Sequence, residues 1–338
     1  MTPYSAPLQD MRFVLNHVVG LENVAQLPGF EGIDKDLTDQ ILEEASKFSS
    51  NILAPLNHLG DTRGAQIENG VVRPVEGFGD AYRQWAKAGW NSSPFNPDHG
   101  GQGLPWTLTT ALWEMWDSSN MAFSLCPLLT QAAIDALERH ANMKQKETYL
   151  EKLVSGEWTG TMNLTEPQSG TDLGTIRTTS VLEGEHYRIK GQKIYITWGD
   201  HDMTDNIIHL VLARSPNGPP GSRGLSLFIV PKFLINPDGS VGQRNDVRPI
   251  SIENKIGIHA SPTCVMSFGE NDGAIGYLIG EENRGIEYMF VMMNNARLAV
   301  GLQGLSIAER AYQQAVNFAK ERVQGKPIQG SEGPVSII

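Results

Sequence analysis

The chain has 338 residues, which is long enough for two or three domains and a large hydrophobic core. With 40% hydrophobic and 19% charged residues, it has the composition of a folded globular protein rather than a disordered one. Its 27 basic and 38 acidic residues give a net charge of −11, which argues against nucleic acid or an anionic membrane as a partner.

The sequence contains no recognisable membrane or secretion segment. No run approaches the roughly 20 apolar residues of a membrane span, and residues 1–10 lack the basic and apolar regions of a signal peptide. The two cysteines, Cys126 and Cys264, lie far apart and have neither the spacing of a disulfide framework nor that of a metal site. We therefore predict a cytoplasmic protein without a metal site.

Residues 1–157 are predicted to form a helical domain. Apolar residues recur every three or four positions over residues 37–48, and similar spacing predicts helices over 81–88, 108–118 and 131–140. Residues 91–103 are dense in Asn, Ser, Pro and Gly, so a loop is predicted there. This pattern is typical of a helical bundle.

The periodicity changes at residues 158–165, where apolar residues at even positions alternate with Thr and Asn at odd positions. Glu166 and Pro167 end this strand, because proline lacks the N–H that a central ladder requires. A strand with a polar face, followed by the Ser-Gly-Thr turn at 169–171, suits a planar polar ring with a phosphate group next to it. The same spacing also fits an ordinary half-buried strand and turn.

The block that continues to residue 281 is predicted to be a β-domain. Its turns are predicted at Glu183-Gly184 and Lys190-Gly191, which separate short strands in the manner of hairpins. Consecutive hairpins without intervening helices favour an antiparallel sheet or barrel over a parallel sheet. The predicted strands are at residues 180–182, 186–190, 192–197, 207–213 and 225–230.

A C-terminal helical segment is predicted from residue 282 onward. Leu298, Leu302 and Leu305 begin a three- and four-residue repeat of apolar positions, which predicts a long amphipathic helix that ends near Gly325. A single helix cannot bury its own apolar face. We therefore expect it to pack on the first block or on helices that this chain lacks.

Standard catalytic signatures do not explain the sequence. The glycines at 101 and 103 are followed by Trp106, which rules out the dinucleotide fingerprint G-x-G-x-x-G. The pair Gly325-Lys326 lacks the upstream Gly and following Ser/Thr of a phosphate-binding loop. There is also no G-x-S-x-G nucleophile elbow and no H-E-x-x-H zinc helix.

The helix–sheet–helix order and several motifs together resemble the acyl-CoA dehydrogenase family of FAD flavoproteins. The most specific motif is L-T-E-P-Q-S-G-T-D at residues 164–172, which follows the family pattern T-E-P-x-x-G-[ST]-D. The other motifs that carry the resemblance are at residues 96–103, 193–197, 294–297 and 321–326.

The resemblance implies an α+β, multidomain fold. Residues 1–157 would form the N-terminal α-helical domain, and residues 158–281 a middle antiparallel β-domain that binds the flavin. Residues 282–338 would form the start of a C-terminal α-helical bundle domain, inside which the chain would stop.

The resemblance also implies which residues bind FAD. Groups of Met162, Leu164 and Thr165 would face the pyrimidine edge of the flavin, and the Thr165 hydroxyl would hydrogen-bond to the ring. Gly170 belongs to the turn of the cofactor site. Thr171 would reach the pyrophosphate and the acyl-CoA, so it is assigned to both cofactor and substrate.

Further residues are assigned in the same way. Tyr195 would lie against the flavin face, and Thr197, two residues on, would share its sheet face and bond near the reactive nitrogen. Both are also strong strand formers, so plain cross-strand packing is the alternative. Arg297 would bind the CoA ester, with Asn294 one turn before it. Arg322 would reach across a dimer interface to the neighbouring subunit's FAD, although a solvated helix arginine needs no partner.

The implied reaction is an α,β-dehydrogenation. A carboxylate takes the α-proton of an acyl-CoA thioester while the β-hydrogen leaves as hydride to FAD, which gives a trans-2-enoyl-CoA. The implied partners are an acyl-CoA, an electron-transferring flavoprotein as electron acceptor, and further copies of the chain in a homodimer or dimer of dimers.

A longer bacterial subfamily, which includes 3-(methylthio)propanoyl-CoA dehydrogenase, shares additional features with this sequence. Residues 11–13, 256–264 and 321–325 carry this closer resemblance. It implies a substrate with a 3-(methylthio)propanoyl group or a medium-chain, long-chain or aryl-acyl group.

The sequence departs from the family at three positions. Ala296 stands directly before Arg297, where one branch of the family has the catalytic Glu, and in most other members the base lies beyond residue 338. Gln324 replaces a common Phe, and His259 a common Arg. No catalytic base is therefore predicted within the chain. A non-catalytic flavin or acyl-CoA binding protein and an acyl-CoA oxidase stay as alternatives.

Overall fold

The structure is a computed structural model that describes residues 3–325 and the backbone of Val335–Ser336. Its α-helices are α1 Leu8–Phe13, α2 Leu21–Val24, α3 Lys35–Phe48, α4 Ala54–Arg63, α5 Phe78–Lys87, α6 Trp106–His140, α7 Met143–Val154 and α8 Gly285–Glu321. Its strands are β1 Gln66–Glu68, β2 Val71–Arg73, β3 Trp158–Asn163, β4 Thr179–Glu183, β5 His186–Thr197, β6 Asn206–Arg214, β7 Leu225–Pro231, β8 Phe233–Ile235, β9 Val241–Arg244, β10 Val247–Ile252, β11 Thr263–Phe268, β12 Ala274–Leu278, β13 Val323–Gln324 and β14 Val335–Ser336.

Helices α1 to α7 form the N-terminal part of the molecule, as the apolar spacing predicted. The stripe on α3 buries Leu42, Ala45 and Phe48, and α5 buries Trp85 among other aromatic rings. The α+β fold class is confirmed, because a β-domain follows these helices and the long helix α8 follows the β-domain.

Helix α6 turns sharply at Asn120, whose backbone is not helical (φ −159°, ψ 83°). The Asn120 side-chain oxygen accepts a hydrogen bond from the Phe123 N–H, as an N-cap does, and its amide donates to the Leu53 carbonyl. The two predicted helices at 108–118 and 131–140 are therefore the two arms of α6, on either side of this corner.

The β-domain is built on an eight-stranded sheet in the order β10-β11-β5-β12-β7-β6-β3. The remaining strand, β4, pairs with both β5 and β6, which closes β4, β5, β12, β7 and β6 into a ring. Most neighbours are antiparallel, as predicted. Strand β3, however, runs parallel to β6 over six residue pairs, from Trp158 opposite Asn206 to Asn163 opposite Val211. The long connection between them, which contains the β4–β5 hairpin, permits this parallel pairing.

One predicted turn is wrong. The hairpin at Glu183-Gly184 is present, but Lys190-Gly191 lies inside the continuous strand β5. A Cβ atom on Gly191 would meet the Thr178 side chain at 2.4 Å and its Cα atom at 2.8 Å. Glycine at this position therefore serves close packing rather than a turn.

Helix α8 packs on the rest of the molecule along one side, over both halves of its length. Tyr288, Met289 and Met292 are buried, and the Ser118 hydroxyl on α6 donates to the Ser306 carbonyl on α8. On another side of the helix, Leu298 and Leu305 are exposed. None of the helices in the described ranges combines the length and apolar character needed to cross a lipid bilayer.

Candidate functional site

The T-E-P motif forms a tight chain reversal at the end of β3. The backbone N–H of Glu166 donates to the Ser169 carbonyl and the Ser169 N–H donates to the Glu166 carbonyl, each at 2.9 Å. Pro167, which has no N–H, lies exposed within the reversal. The turn ends the strand as predicted from the sequence.

The Glu166 side chain anchors this turn from inside. Its carboxylate lies 2.9 Å from the Lys193 ammonium, and both side chains are buried. The backbone N–H groups of Arg177 and Thr178 donate to the same carboxylate at 2.7 and 3.0 Å. Lys193 also donates to the Leu164 carbonyl, so one ammonium group connects β5 to the end of β3.

The charges of this pair are set by competing effects. Burial raises the pKa of Glu166, but the Lys193 charge and the hydrogen bonds to the carboxylate outweigh it and hold the pKa at about 2. Burial lowers the pKa of Lys193 to about 8 against the opposing effect of Glu166. Glu166 is therefore ionised and structural, which the sequence did not reveal. One feature of the sequence pointed to a buried Lys193: alternation along β5 places it on the same, inward face as Ile189, which is buried.

The polar face of β3 points inward, which corrects the interpretation that this face meets a ligand ring. The Thr159 hydroxyl lies 3.0 Å from the His201 ring, and the Thr161 hydroxyl lies 2.7 Å from the His209 ring. Asn163 donates to the Thr161 hydroxyl. The three β3 side chains are buried, because the strand is covered on both faces.

Three predicted hydroxyls are left without a hydrogen bond to any described residue, namely those of Thr165, Thr171 and Thr197. Thr165 and Thr197 are half-buried and Thr171 is exposed. The Thr165 carbonyl accepts from the Ile194 N–H at 2.9 Å, which brings the end of β3 beside β5. Gly170 lies beside Thr165, since a Cβ atom built on it would be 3.9 Å from the Thr165 methyl group. The structure thus brings Thr165, Gly170 and this part of β5 together.

Tyr195 interrupts the regular alternation of β5. It has φ +60°, and the register against β11 shifts at this point. Lys193 and Ile196, three positions apart, are both buried. Tyr195 and Thr197 lie on either side of the buried Ile196, and the sheet face that they were predicted to share stays a prediction. The Tyr195 side chain is 60% exposed, which leaves an aromatic ring available for stacking.

The predicted substrate residues lie in a different place, on α8. Arg297 donates to the Asn294 side-chain oxygen at 2.9 Å, and its guanidinium lies 5.3 Å from the centre of the Phe290 ring. Asn294 and Arg297 line a cavity of about 580 Å³ between α8 and the two arms of α6. The predicted FAD residues do not line this cavity. Cavities of 660 and 700 Å³ elsewhere contain none of the predicted site residues.

Arg322 and Met162 complete the set of predicted residues. Arg322 follows the end of α8, is exposed, and donates to the Gln324 side chain at 3.0 Å. Its assigned role across a dimer interface stays a prediction. Met162 is half-buried on β3 and Leu164 is buried just after it. Lys326, the last residue of the predicted motif at 321–326, lies outside the described residues.

Comparison with known proteins follows the same three-part division. Family models match the acyl-CoA dehydrogenase N-terminal domain at residues 36–157, the middle domain at 161–270 and the C-terminal domain at 283–332. The chain is 49% identical over 329 residues to 3-methylmercaptopropionyl-CoA dehydrogenase of Ruegeria pomeroyi, covering 97% of this chain and 55% of the relative. It is 35% identical over 345 residues to a butyryl-CoA dehydrogenase of Syntrophomonas wolfei, covering 98% of this chain and 56% of the relative.

Solved structures show the same likeness. Butyryl-CoA dehydrogenase from Megasphaera elsdenii has a TM-score of 0.71 at 25% identity, covering 88% of this chain and 72% of that chain. A structure described as the electron transferring flavoprotein of Acidaminococcus fermentans has a TM-score of 0.72 at 26% identity, covering 86% and 70%. The protein is thus a multidomain α+β chain of helix–sheet–helix order. It belongs to the acyl-CoA dehydrogenase family. The chain spans about half the length of the first two relatives, 55% and 56%.

Proposed function

We propose that this chain forms the flavin-binding and acyl-CoA-binding part of an FAD-dependent dehydrogenase that converts an acyl-CoA thioester to a trans-2-enoyl-CoA. The observation that carries the proposal is that the Thr165 hydroxyl, without a hydrogen bond to a described residue, lies at the end of β3 beside the part of β5 that carries the exposed Tyr195, both at positions that the family resemblance assigns to the flavin. The similarity to 3-methylmercaptopropionyl-CoA dehydrogenase favours a short thioether acyl group as the substrate.

The residues fit FAD chemically. The Thr165 hydroxyl has no hydrogen bond to a described residue, so it is available to the polar edge of the flavin. Thr197 would bond near the reactive nitrogen, and Tyr195 would lie against the ring. When bound, FAD supplies the hydride acceptor.

The substrate would be held between the turn after β3 and helix α8. The Thr171 hydroxyl and the exposed turn around Gly170 suit the pyrophosphate and the pantetheine part of acyl-CoA. The Arg297 guanidinium, oriented by Asn294 and Phe290, supplies a fixed positive charge and donors for the thioester end of the substrate. The apolar cavity beside Arg297 would take the acyl chain.

The proposal includes partners beyond the substrate. Electrons would pass to an electron-transferring flavoprotein, and Arg322 would contribute to the FAD site of a second copy in a homodimer. The location proposed is the bacterial cytoplasm. The proton acceptor is not assigned to a residue of this chain, since Ala296 occupies the position used by one branch of the family.

The test uses the protein purified from its native host. A bound flavin absorbance that bleaches without oxygen on addition of 3-(methylthio)propanoyl-CoA or butyryl-CoA, with formation of the enoyl product, is the expected result. Retained flavin that never bleaches, together with measurable acyl-CoA binding, would favour a binding protein. Rapid oxygen consumption in turnover would favour an oxidase. A native protein without flavin would overturn the proposal.

A further inference from the structure

The corner in α6 places two distant residues in contact. Trp113 and Gln131 are 18 positions apart, which corresponds to about 27 Å along a straight helix. The Trp113 indole N–H instead donates to the Gln131 side-chain oxygen at 3.0 Å. The two arms of α6 therefore run back along each other from Asn120, and both face the cavity beside α8.

The cavity has an open end and a closed end. Asn294 and Arg297 are exposed and mark the open end, together with Trp106, which is 43% exposed. Trp113 and Gln131 line the same cavity but are 5% and 1% exposed. A ligand held at Arg297 by its polar end would therefore extend its apolar end toward Trp113.

Trp113 is fixed in position by its neighbours. Gln131, which accepts its indole N–H, donates in turn to the Asn91 carbonyl at 3.0 Å. The Trp113 ring centre lies 6.0 Å from that of Trp85 and 5.3 Å from that of Trp116. These contacts prevent the indole from turning aside to admit a longer ligand.

We propose that Trp113, held by Gln131, forms the closed end of the acyl cavity and limits the length of the acyl chain. The proposal rests on the proposed function for the identity of the ligand. Trp113 acts as a specificity-determining residue by steric exclusion, and Gln131 is a positioning residue that acts through it. Because a methylene group is worth roughly 10- to 200-fold in discrimination, removal of the indole has a measurable effect.

The experiment compares the full-length enzyme with its W113A and W113F variants over straight-chain thioesters from butyryl-CoA to dodecanoyl-CoA. Both kcat/KM, with an artificial electron acceptor, and the dissociation constant, by calorimetry, are measured. For W113A we expect the preference for longer over shorter chains to rise at least tenfold relative to wild type. W113F and Q131M are expected to shift the preference in the same direction by a smaller factor.

Trp106 supplies the matched control, because it is the same residue type at the open end of the same cavity. W106A should change affinity by a similar factor for all chain lengths. An unchanged chain-length profile in both W113A and W113F overturns the proposal. Binding that shifts toward longer chains in W113A, without flavin reduction in any protein, would instead overturn the proposed activity and support the role of Trp113.

Discussion

The Glu166 carboxylate and the Lys193 ammonium form an ion pair at 2.9 Å in the interior of the β-domain, where neither side chain reaches solvent. The pair joins the T-E-P turn to β5, the two segments that carry Thr165, Tyr195 and Thr197. The buried ion pair therefore fixes the turn against β5, and the hydroxyl groups near the turn remain available to a ligand.

We expect E166Q to destabilise the protein strongly. Removal of one partner of a buried pair leaves the other charge uncompensated, which costs about 3–5 kcal/mol. The free energy of unfolding in urea at pH 7 measures this loss. Because the pKa of Glu166 is about 2 in the folded protein, its carboxylate contributes its full stability above pH 4.3, roughly the ordinary pKa of Glu. This contribution is lost as the pH falls toward 2. The difference between wild type and E166Q should therefore shrink in acid.

The exposed pair Glu183–Arg188 on the β4–β5 hairpin provides the control. E183Q is expected to change the free energy of unfolding much less than E166Q does, because solvent screens an exposed pair. Equal losses in E166Q and E183Q would contradict the assigned role of the buried pair.

This ion pair also marks the limit of what the sequence could predict. Local periodicity predicts helices α3, α5 and α8, and the missing N–H of Pro167 predicts that β3 ends before it. The contacts Glu166–Lys193 and Trp113–Gln131 join residues 27 and 18 positions apart, and they depend on how elements pack. No local pattern encodes that packing.

The candidate site was predictable in part for the same reason. The motif located Thr165 and Thr171 at a turn, and the structure leaves their hydroxyls without a described partner. The alternation of β3 predicted that its Thr and Asn side chains face a ligand. In the structure, Thr159 and Thr161 instead hydrogen-bond to His201, after β5, and to His209 on β6. The left-handed backbone of Tyr195 also could not be foreseen, since non-glycine residues seldom adopt it.

A second prediction concerns Asp117, beside the corner of α6. Burial raises its pKa to about 7 against a hydrogen bond from Ser124, and its second carboxylate oxygen has no partner among the described residues. An unfolded Asp has a pKa of about 3.9, so between pH 4 and 7 the folded state holds a proton that the unfolded state has lost. The contribution of Asp117 to stability is present below pH 4 and falls by about 1.4 kcal/mol per pH unit up to 7.

D117N should remove this decline, because the amide resembles the protonated carboxyl in shape and carries no charge. Urea unfolding at half-unit steps from pH 4.5 to 8 measures the effect as the difference between variant and wild type. D205N, at an exposed position, should follow wild type throughout. A D117N curve parallel to wild type would show that Asp117 is ionised in the folded protein.

A third prediction concerns the contact between β3 and α6. A Cβ atom added to Gly160 would lie 2.6 Å from the Ala133 side chain, so G160A forces the strand and helix apart. Overpacking of this kind costs about 1–3 kcal/mol. The thermal midpoint measures it, with G257A as the control because nothing lies within 4 Å of a Cβ atom there. Loss of stability in G257A but not in G160A would contradict the packing argument.

The last prediction separates ligand binding from stability on a single strand. Thr165 and Thr161 both carry hydroxyls near the end of β3, but among the described residues only the Thr161 hydroxyl of the two has hydrogen-bond partners, His209 and Asn163. T165V should leave the stability of the flavin-free protein unchanged and weaken FAD binding by about fivefold, the loss of one hydrogen bond of about 1 kcal/mol. T161V should leave FAD binding unchanged and lower the free energy of unfolding by about 1–3 kcal/mol, because it leaves buried polar groups without a hydrogen-bond partner. Flavin fluorescence titration and urea unfolding of both variants measure the two effects. If T165V bound FAD as tightly as wild type, the Thr165 hydroxyl would have no role in the flavin site, whatever the stability of T161V.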